Sequence, residues 1–189
     1  MKWVVLLWIA AAGLLPVTVA ADRAASRNWV VDFSPRGGCT EAVVEALGRA
    51  WVSVLVQAYS FTSAPIARAL VGAQGRGVKV QVILDKSQRT EKYSSATFLR
   101  NNAVPTFIDD QHAIAHNKVM VIDGHLLVTG SFNFTKAAEE SNAENLLVID
   151  DAELAAKYAQ NWAVHRQHSG AYTELAATEA APKRRAHKK

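Results

Sequence analysis

The residues of this chain that are best suited to chemistry lie in one short stretch. His116 and Lys118 stand two positions apart, and Asp123, Ser131 and Asn133 follow them closely. Together they offer a nucleophilic imidazole, a cation, a carboxylate, and hydroxyl and amide donors. Such a set can attack a phosphate diester, because cations and donors offset the negative charge that shields the phosphorus atom. The stretch therefore predicts a site for phosphodiester chemistry.

A β-strand is expected to position the first two of these side chains. Val119, Val121 and Ile122 follow Lys118 and favour extended backbone. Side chains two positions apart on a strand leave the same face of the sheet. The His116 imidazole and the Lys118 ammonium are therefore predicted to converge on one phosphate.

Strands and helices alternate along the rest of the chain. Apolar runs and turn residues predict strands near 29–33, 51–58, 78–84, 104–108, 118–122, 125–128 and 145–149. Helical spacing and start signals predict helices near 40–50, 63–72, 95–101 and 152–166, the first of them with Thr40 as its N-cap. This alternation indicates a layered α/β domain.

The ends of the chain differ in composition from its middle. An apolar run from Trp3 to Val17, followed by small residues, predicts an export signal over residues 1–21, with an uncleaved membrane anchor as the alternative. We therefore expect one domain over 22–168, a basic tail over 169–189, and a periplasmic or secreted location. Half of the 189 residues are apolar, enough for one sizeable core.

The net charge gives little support for nucleic-acid binding by the domain as a whole. The formal charge is +4, but five lysines and arginines lie in the last seven residues. Subtracting these five charges leaves a net charge of −1 for the rest of the chain. Subtracting also Lys2, which lies in the predicted export signal, leaves −2. A local basic site would therefore have to attract an anionic substrate.

The order His116-x-Lys118, four residues, Asp123, six residues, Gly130-Ser131-x-Asn133 resembles the signature of the phospholipase D superfamily. The residues that follow, through Glu144, look like its small bacterial endonuclease branch. This resemblance implies a layered sandwich with a mixed central β-sheet flanked by helices. It also implies His116 as nucleophile, phosphate binding by Lys118, Ser131 and Asn133, and Glu144 as the carboxylate that orients His116.

A single copy of the motif supplies only part of such a site. A nucleophilic histidine still needs an acid for the leaving oxygen and a base for water. Members of the superfamily with one motif resemble half-enzymes that pair, so the resemblance implies a homodimer with both copies of His116 in one shared site.

Several other residues admit a structural explanation. Asp123 belongs to the motif, but it precedes Gly124 in a hairpin turn signal, so it is expected to shape the backbone. Tyr59 and Phe61, after the second predicted strand, either stack on bases or fill the core. No cofactor is expected.

The remaining histidines suggest no site of their own. His112 and His116 have the four-residue spacing of metal-binding histidines on a helix, but the glutamate of that motif is missing and the region is not helical in pattern, so no metal site is expected. His112 is interpreted as exposed or as a neighbour of the substrate. His125, His165 and His168 are interpreted as surface or packing residues.

These observations predict a metal-independent endonuclease that cuts DNA, with RNA as a second candidate substrate, through a phosphohistidine intermediate. Little sequence lies outside the predicted catalytic domain, so no module for reading bases is expected. Two alternatives stay open. One is a phospholipase tethered by residues 3–21 and acting on lipids such as cardiolipin. The other is a noncatalytic dimer that coats nucleic acid.

Overall fold

The computed structural model describes residues 28–173. The predicted export signal and most of the predicted basic tail lie outside these residues. The predicted α/β class is confirmed, and the elements are β1 (Trp29–Ser34), α1 (Cys39–Arg49), β2 (Ser53–Ala58), α2 (Ala64–Gly75), β3 (Lys79–Asp85), a 3₁₀ turn (Lys86–Arg89), α3 (Ala96–Asn101), β4 (Thr106–Asp109), β5 (Lys118–Ile122), β6 (Leu126–Gly130), α4 (Lys136–Glu140), β7 (Glu144–Asp150), α5 (Ala152–His168) and β8 (Gly170–Ala171).

The described strands form one mixed sheet of eight in the order β1-β7-β6-β5-β2-β3-β4-β8. β2, β3 and β4 run parallel and are connected through α2 and α3, whereas the other neighbouring pairs are antiparallel. Strand β5 lies near the middle, between β2 and β6. The arrangement confirms the expected mixed central sheet flanked by helices.

Both faces of the sheet are covered, and this explains the nearly continuous apolar sequence of β5. Met120 and Ile122 point into the larger core, to which α1, α2 and α3 contribute. Val119 and Val121 point to the other face, where they pack with residues of α5 such as Ala155. All five residues of β5 are buried, as expected for a central strand with helices on both sides.

The start of α1 differs from the sequence prediction. Thr40 is not the N-cap, because the helix begins at Cys39 after Gly38, which has a φ of 89°. The Glu139 carboxylate of α4 caps the helix instead, accepting hydrogen bonds from the amides of Gly38 (3.2 Å) and Thr40 (2.7 Å). A carboxylate at this end also interacts favourably with the helix dipole. This cap comes from about a hundred residues away, beyond the reach of local pattern rules.

Asp123 joins β5 to the beginning of β2. Its backbone has a φ of 52°, in the left-handed region that Asp and Asn tolerate better than most residues. Its carboxylate accepts hydrogen bonds from the amides of Trp51 (3.1 Å), Val52 (2.8 Å) and Ser53 (2.9 Å). Asp123 thus satisfies three backbone donors where the chain enters β2.

Replacement of Asp123 tests this structural role. We expect Asp123→Ala to lower the free energy of unfolding by about 1–3 kcal/mol, because the three amides lose their acceptor. Asp123→Asn keeps an acceptor oxygen and tolerates the positive φ, so its loss should be smaller. Urea denaturation followed by tryptophan fluorescence measures both, and equal stability of the Ala variant and the wild type would contradict the role.

Candidate active site

Five of the six predicted site residues line one open cavity. The cavity, of about 590 Å³, lies where β5 begins, β6 ends and β7 begins. The site residues on its wall are His116, Lys118, Ser131, Asn133 and Glu144, with Asn117, Val119, Thr129, Gly130 and Tyr158 completing the lining. Since β6 lies between β5 and β7 in the sheet, residues distant in sequence meet at this one edge.

His116 lies just before the strand that was expected to contain it. β5 begins at Lys118, so the prediction of one strand for both residues holds only for Lys118. The exposed His116 ring packs against Tyr59, with ring centroids 4.6 Å apart. Tyr59 in turn donates its amide to the carbonyl of Asn117 at 2.8 Å. Tyr59 therefore supports the His116 ring from outside the cavity lining, whereas Phe61 is fully buried core.

Asp85 holds the other side of the segment that carries His116. This buried residue ends β3, and its carboxylate accepts the amide of Ala115 at 2.8 Å and that of Ser87 at 2.9 Å. The backbone next to His116 is therefore fixed by contacts to two strands, β2 and β3. A nucleophile held in this way loses less conformational freedom when it reacts.

Lys118 is a buried cation that is directed towards His116. Only 7% of the residue is exposed, and its ammonium donates to the His116 carbonyl oxygen at 2.8 Å. The same nitrogen lies 5.1 Å from the centroid of the Tyr59 ring, a cation–π contact. Burial lowers the pKa of Lys118, while the negative charge of Glu144 opposes this shift. Further N–H donors of the ammonium are available for an anion in the cavity.

Gly130 and Ser131 bring the end of β6 against β7. Gly130 has a φ of 147°, and a Cβ atom there would lie 2.2 Å from the Asn145 carbonyl oxygen, so glycine is required. The Ser131 hydroxyl oxygen accepts from the backbone amide (3.1 Å) and the side-chain amide (3.3 Å) of Asn145. Its own O–H is then free to donate towards the cavity.

Asn133 contributes the least satisfied polar group of the site. Its carboxamide oxygen is buried without a hydrogen-bond partner among the residues that the structure describes. Such a group lowers stability unless a donor from water or a ligand satisfies it. A phosphodiester offers no donor, so the atoms of Asn133 that suit a phosphate in the cavity are its amide N–H groups.

Glu144 lies on the same cavity, but it forms no hydrogen bond with the His116 ring. Its carboxylate accepts from the Asn142 side chain at 3.2 Å, and within residues 28–173 no hydrogen bond joins it to His116. The reason is that β6 separates the strands that begin at Lys118 and Glu144, and strands two places apart lie about 10 Å from each other. The predicted orienting bond is therefore not present within one chain.

Asp123 does not belong to this site. It lies at the opposite end of β5 from Lys118, about 16 Å along the strand at the usual rise per residue. The prediction that Asp123 belongs to the catalytic set is therefore corrected. Its role is to accept hydrogen bonds from the backbone at the start of β2. Two neighbours for which no role was predicted are Asn145, which follows Glu144 in the segment that carries the resemblance, and Tyr158 of α5.

His165 and His168, interpreted as surface or packing residues, are partly buried, and His112, interpreted as exposed or as a neighbour of the substrate, is exposed. The sequence did not indicate that these three histidines form one cluster. His112, His165 and His168 all contact the carboxylate of Asp109, at distances between 2.7 and 3.4 Å. His125 remains apart and pairs with Asp150 at 2.8 Å on the surface. None of the clustered histidines lines the cavity that contains His116.

Comparisons with known sequences agree with the geometry of the cavity. Residues 43–165 match the family model described as "Cardiolipin synthase, PLD-like domain". A phospholipase D of Rickettsia felis is 46% identical over 130 residues, which are 69% of this chain and 65% of that protein. A mitochondrial cardiolipin hydrolase of Xenopus tropicalis is 33% identical over 60% of this chain and 54% of its own length. This chain therefore spans somewhat less than two thirds of these relatives.

Two solved structures share the fold over almost their full length. Nuc of Salmonella typhimurium, a phospholipase D family member, superposes with a TM-score of 0.73 and 37% identity, over 76% of this chain and 97% of its own. NucT of Helicobacter pylori superposes with a TM-score of 0.69 and 26% identity, over 76% of this chain and 99% of its own. The cavity therefore lies in a domain whose architecture is shared by a bacterial phospholipase D family member.

The pKa of Lys118 predicts a pH-dependent stability. Because burial lowers this pKa below the ordinary value of 10.5, the unfolded state binds more protons between the two values, and stability must rise with pH there. We expect the wild type to gain free energy of unfolding relative to Lys118→Met as the pH rises from the lowered pKa towards 10.5. Urea denaturation at each pH measures the difference.

The matched control for this comparison is Lys79→Met, which removes an exposed lysine from β3. Its difference from the wild type should stay constant over the same pH range. Identical pH profiles for the two variants would show that burial does not perturb Lys118.

Proposed function

This chain belongs to the phospholipase D superfamily through its PLD-like domain, and from that premise we propose that it is a phosphodiester hydrolase that cleaves DNA. The observation that carries the proposal is the cavity in which His116 stands beside the buried ammonium of Lys118. Ser131 and Asn133 add neutral donors to the same wall. Nucleophile, cation and donors surround the place that a phosphate would occupy.

The reaction takes two displacements. A ring nitrogen of His116 attacks phosphorus, a nitrogen–phosphorus bond forms, and the bond to the leaving oxygen breaks as that oxygen takes a proton from an acid. Water then loses a proton to the same group, attacks phosphorus and releases His116. Lys118 and the donors stabilise the charge that develops on the nonbridging oxygens. No step requires a metal ion.

One copy of the cavity lacks a second histidine to act as the acid. Of the five described histidines, only His116 lines it, and Glu144 is engaged by Asn142. We therefore propose a homodimer in which a second copy of His116 supplies the proton across a two-fold axis. In that arrangement Glu144 is also available to a group from the second copy.

The polar lining supports a polynucleotide as substrate. Val119 carries the only purely apolar side chain among the residues that line the cavity. A phosphate in a DNA backbone needs only the charged and polar groups that are present. We propose that cleavage is nonspecific, that RNA is a second polynucleotide to be tested, and that the protein works in the periplasm or outside the cell.

The names of the relatives favour a second candidate function. The proteins of Rickettsia felis and Xenopus tropicalis are called phospholipase D and mitochondrial cardiolipin hydrolase. A lipid diester presents the same phosphorus chemistry, and residues 3–21, if retained, would hold the domain at a membrane. Within residues 28–173, no helix is long and apolar enough to span a bilayer. A third candidate, a noncatalytic dimer that coats nucleic acid, predicts binding without cleavage.

A nicking assay tests the leading proposal. Purified protein is incubated with supercoiled plasmid, with RNA and with vesicles containing labelled cardiolipin. We expect plasmid nicking, and a loss of at least about 1,000-fold in His116→Ala, because the covalent route needs that nitrogen. The matched control is His125→Ala, whose imidazole lies on the surface against Asp150 and should leave nicking intact. Lipid turnover without nicking would favour the phospholipase, and binding without cleavage would favour the coating dimer.

The same assay tests the metal-free chemistry. Nicking should continue in EDTA, with the folded fraction of each sample followed by circular dichroism. If nicking is lost while the protein stays folded, the metal-free mechanism is wrong. Loss of nicking together with loss of folded protein would report a change in stability and would not bear on the chemistry.

Heterodimers test the shared site. Wild-type and His116→Ala chains carrying different affinity tags are coexpressed, and the mixed dimer is purified through both tags. If one turnover uses both histidines, the mixed dimer should retain less than about one hundredth of the wild-type activity, since acid catalysis contributes 10²–10⁴-fold. A mixed dimer of wild type with His125→Ala is the control. Half of the wild-type activity, or an active monomer in light scattering, would contradict the shared site.

A further inference from the structure

Four potential metal ligands meet at the end of the sheet that carries β4. Asp109 ends this strand, His112 follows in the loop, and His165 and His168 occupy the last turn of α5, three positions apart on one face. One ligand atom from each of the four residues lies within 4.8 Å of every other. The sequence separates these elements by more than fifty residues, so only the fold assembles the cluster.

The distances around Asp109 are close to those of a tetrahedral metal site. Its Oδ2 atom lies 3.0 Å from His112 Nδ1, 2.7 Å from His165 Nδ1 and 3.4 Å from His168 Nε2. Zinc binds imidazole nitrogen and carboxylate oxygen at 2.0–2.2 Å, which places neighbouring ligand atoms about 3.3 Å apart. Small side-chain movements would therefore bring the four atoms into coordination.

Three imidazoles converge on one carboxylate. Asp109 Oδ2 lies near a nitrogen of His112, His165 and His168, and Oδ1 lies 3.1 Å from His112 Nδ1. Protonation of all three rings would place three positive charges on rings whose centroids lie only 4.8–5.5 Å apart. A single divalent cation between the four ligand atoms fits this convergence, because each neutral ring then donates a nitrogen lone pair to the metal.

The carboxylate at the centre is suited to remain ionised. Asp109 is fully buried, and burial alone would raise its pKa. The hydrogen bonds from His165, His112 and His168 outweigh this effect and hold the pKa well below its usual range. The histidine side chains are between 13% and 45% exposed, so an ion has a path from solvent.

We propose that Asp109, His112, His165 and His168 bind one zinc ion. Three imidazoles and one carboxylate suit Zn²⁺ better than Mg²⁺ or Ca²⁺, which prefer sets made of oxygen atoms. Four protein ligands fill a tetrahedral shell and leave no position for a substrate, so the site is structural. Its ligands are absent from the wall of the His116 cavity, so the zinc ion takes no part in phosphodiester cleavage.

The zinc ion would fasten the loop that leads to the candidate nucleophile. His112 lies in the connection between β4 and β5, four residues before His116, and its carbonyl also accepts from Lys86 at 2.8 Å. The other two histidines belong to α5, which packs on the sheet face that contains Val119. The ion would therefore tie this loop to the C-terminal end of α5.

Metal content and thermal stability test the proposal. The full chain is produced without a histidine tag, its metals are measured by mass spectrometry, and the EDTA-treated, dialysed protein is titrated with Zn²⁺, Co²⁺ or Mg²⁺. We expect about one zinc per chain, the visible absorption of tetrahedral Co²⁺, and a rise in Tm of about 5–10 °C at a hundredfold excess of zinc over its Kd. Mg²⁺ should produce none of these effects.

Variants distinguish zinc binding by the four clustered residues from adventitious zinc binding elsewhere on the protein. His168 makes the longest contact with Asp109 and is partly exposed, so His168→Ala should still fold, as circular dichroism would show. We expect its zinc affinity to fall by more than about 100-fold, beyond the effect of losing an outer-shell partner. His165→Ala should behave alike, and His125→Ala should bind zinc as the wild type does.

Three results would overturn the proposal. They are a wild-type protein without stoichiometric zinc uptake, equal stabilisation by Mg²⁺ and Zn²⁺, and unchanged zinc affinity in folded His168→Ala. An EDTA-treated protein that is folded and takes up no zinc would show that Asp109 and the three histidines form a hydrogen-bonded group only. All measurements are made without substrate, so they stand whether or not the protein cleaves DNA.

Discussion

Burial of β5 on both faces is the constraint on which the candidate site depends. Its apolar residues face helices on both sides, and its hydrogen bonds to β2 and β6 fix its register within the sheet. The strand is therefore a rigid base from which Lys118 extends at one end, while Asp123 closes the corner at the other. With β6 beside it and β7 beyond, this register places the motif residues of three strands at one edge.

The burial that holds β5 in place also lowers the stability contributed by its first residue, Lys118. A lysine within the core loses hydration, and one backbone hydrogen bond and one aromatic ring replace it only in part. The negative charge of Glu144 across the cavity compensates further. The domain is therefore less stable without an anion at Lys118 than with one, because a phosphate would supply the partner that the buried ammonium lacks. The unsatisfied Asn133 oxygen on the same wall adds to this cost.

The sequence predicts well what local patterns determine. Alternation of apolar residues predicts the strands, and β5 is found at the predicted residues because its burial on both faces gives a continuous apolar run. The motif around His116 predicts five residues of one cavity. What it cannot predict is how elements distant in sequence are placed, such as the Glu139 cap on α1 and the strand that separates Glu144 from His116.

The histidines show the same limit most clearly. Spacing pairs His112 with His116, whereas the fold separates the two and brings His112 to Asp109 and α5. The loop between them is therefore held at two points, by Asp109 near its start and by Asp85 at Ala115. A connection of eight residues between β4 and β5 would otherwise be among the more mobile parts of the domain. The buried carboxylates of Asp109 and Asp85 hold this loop near its two ends. They therefore restrict the movement of the candidate nucleophile His116, which directly follows Ala115.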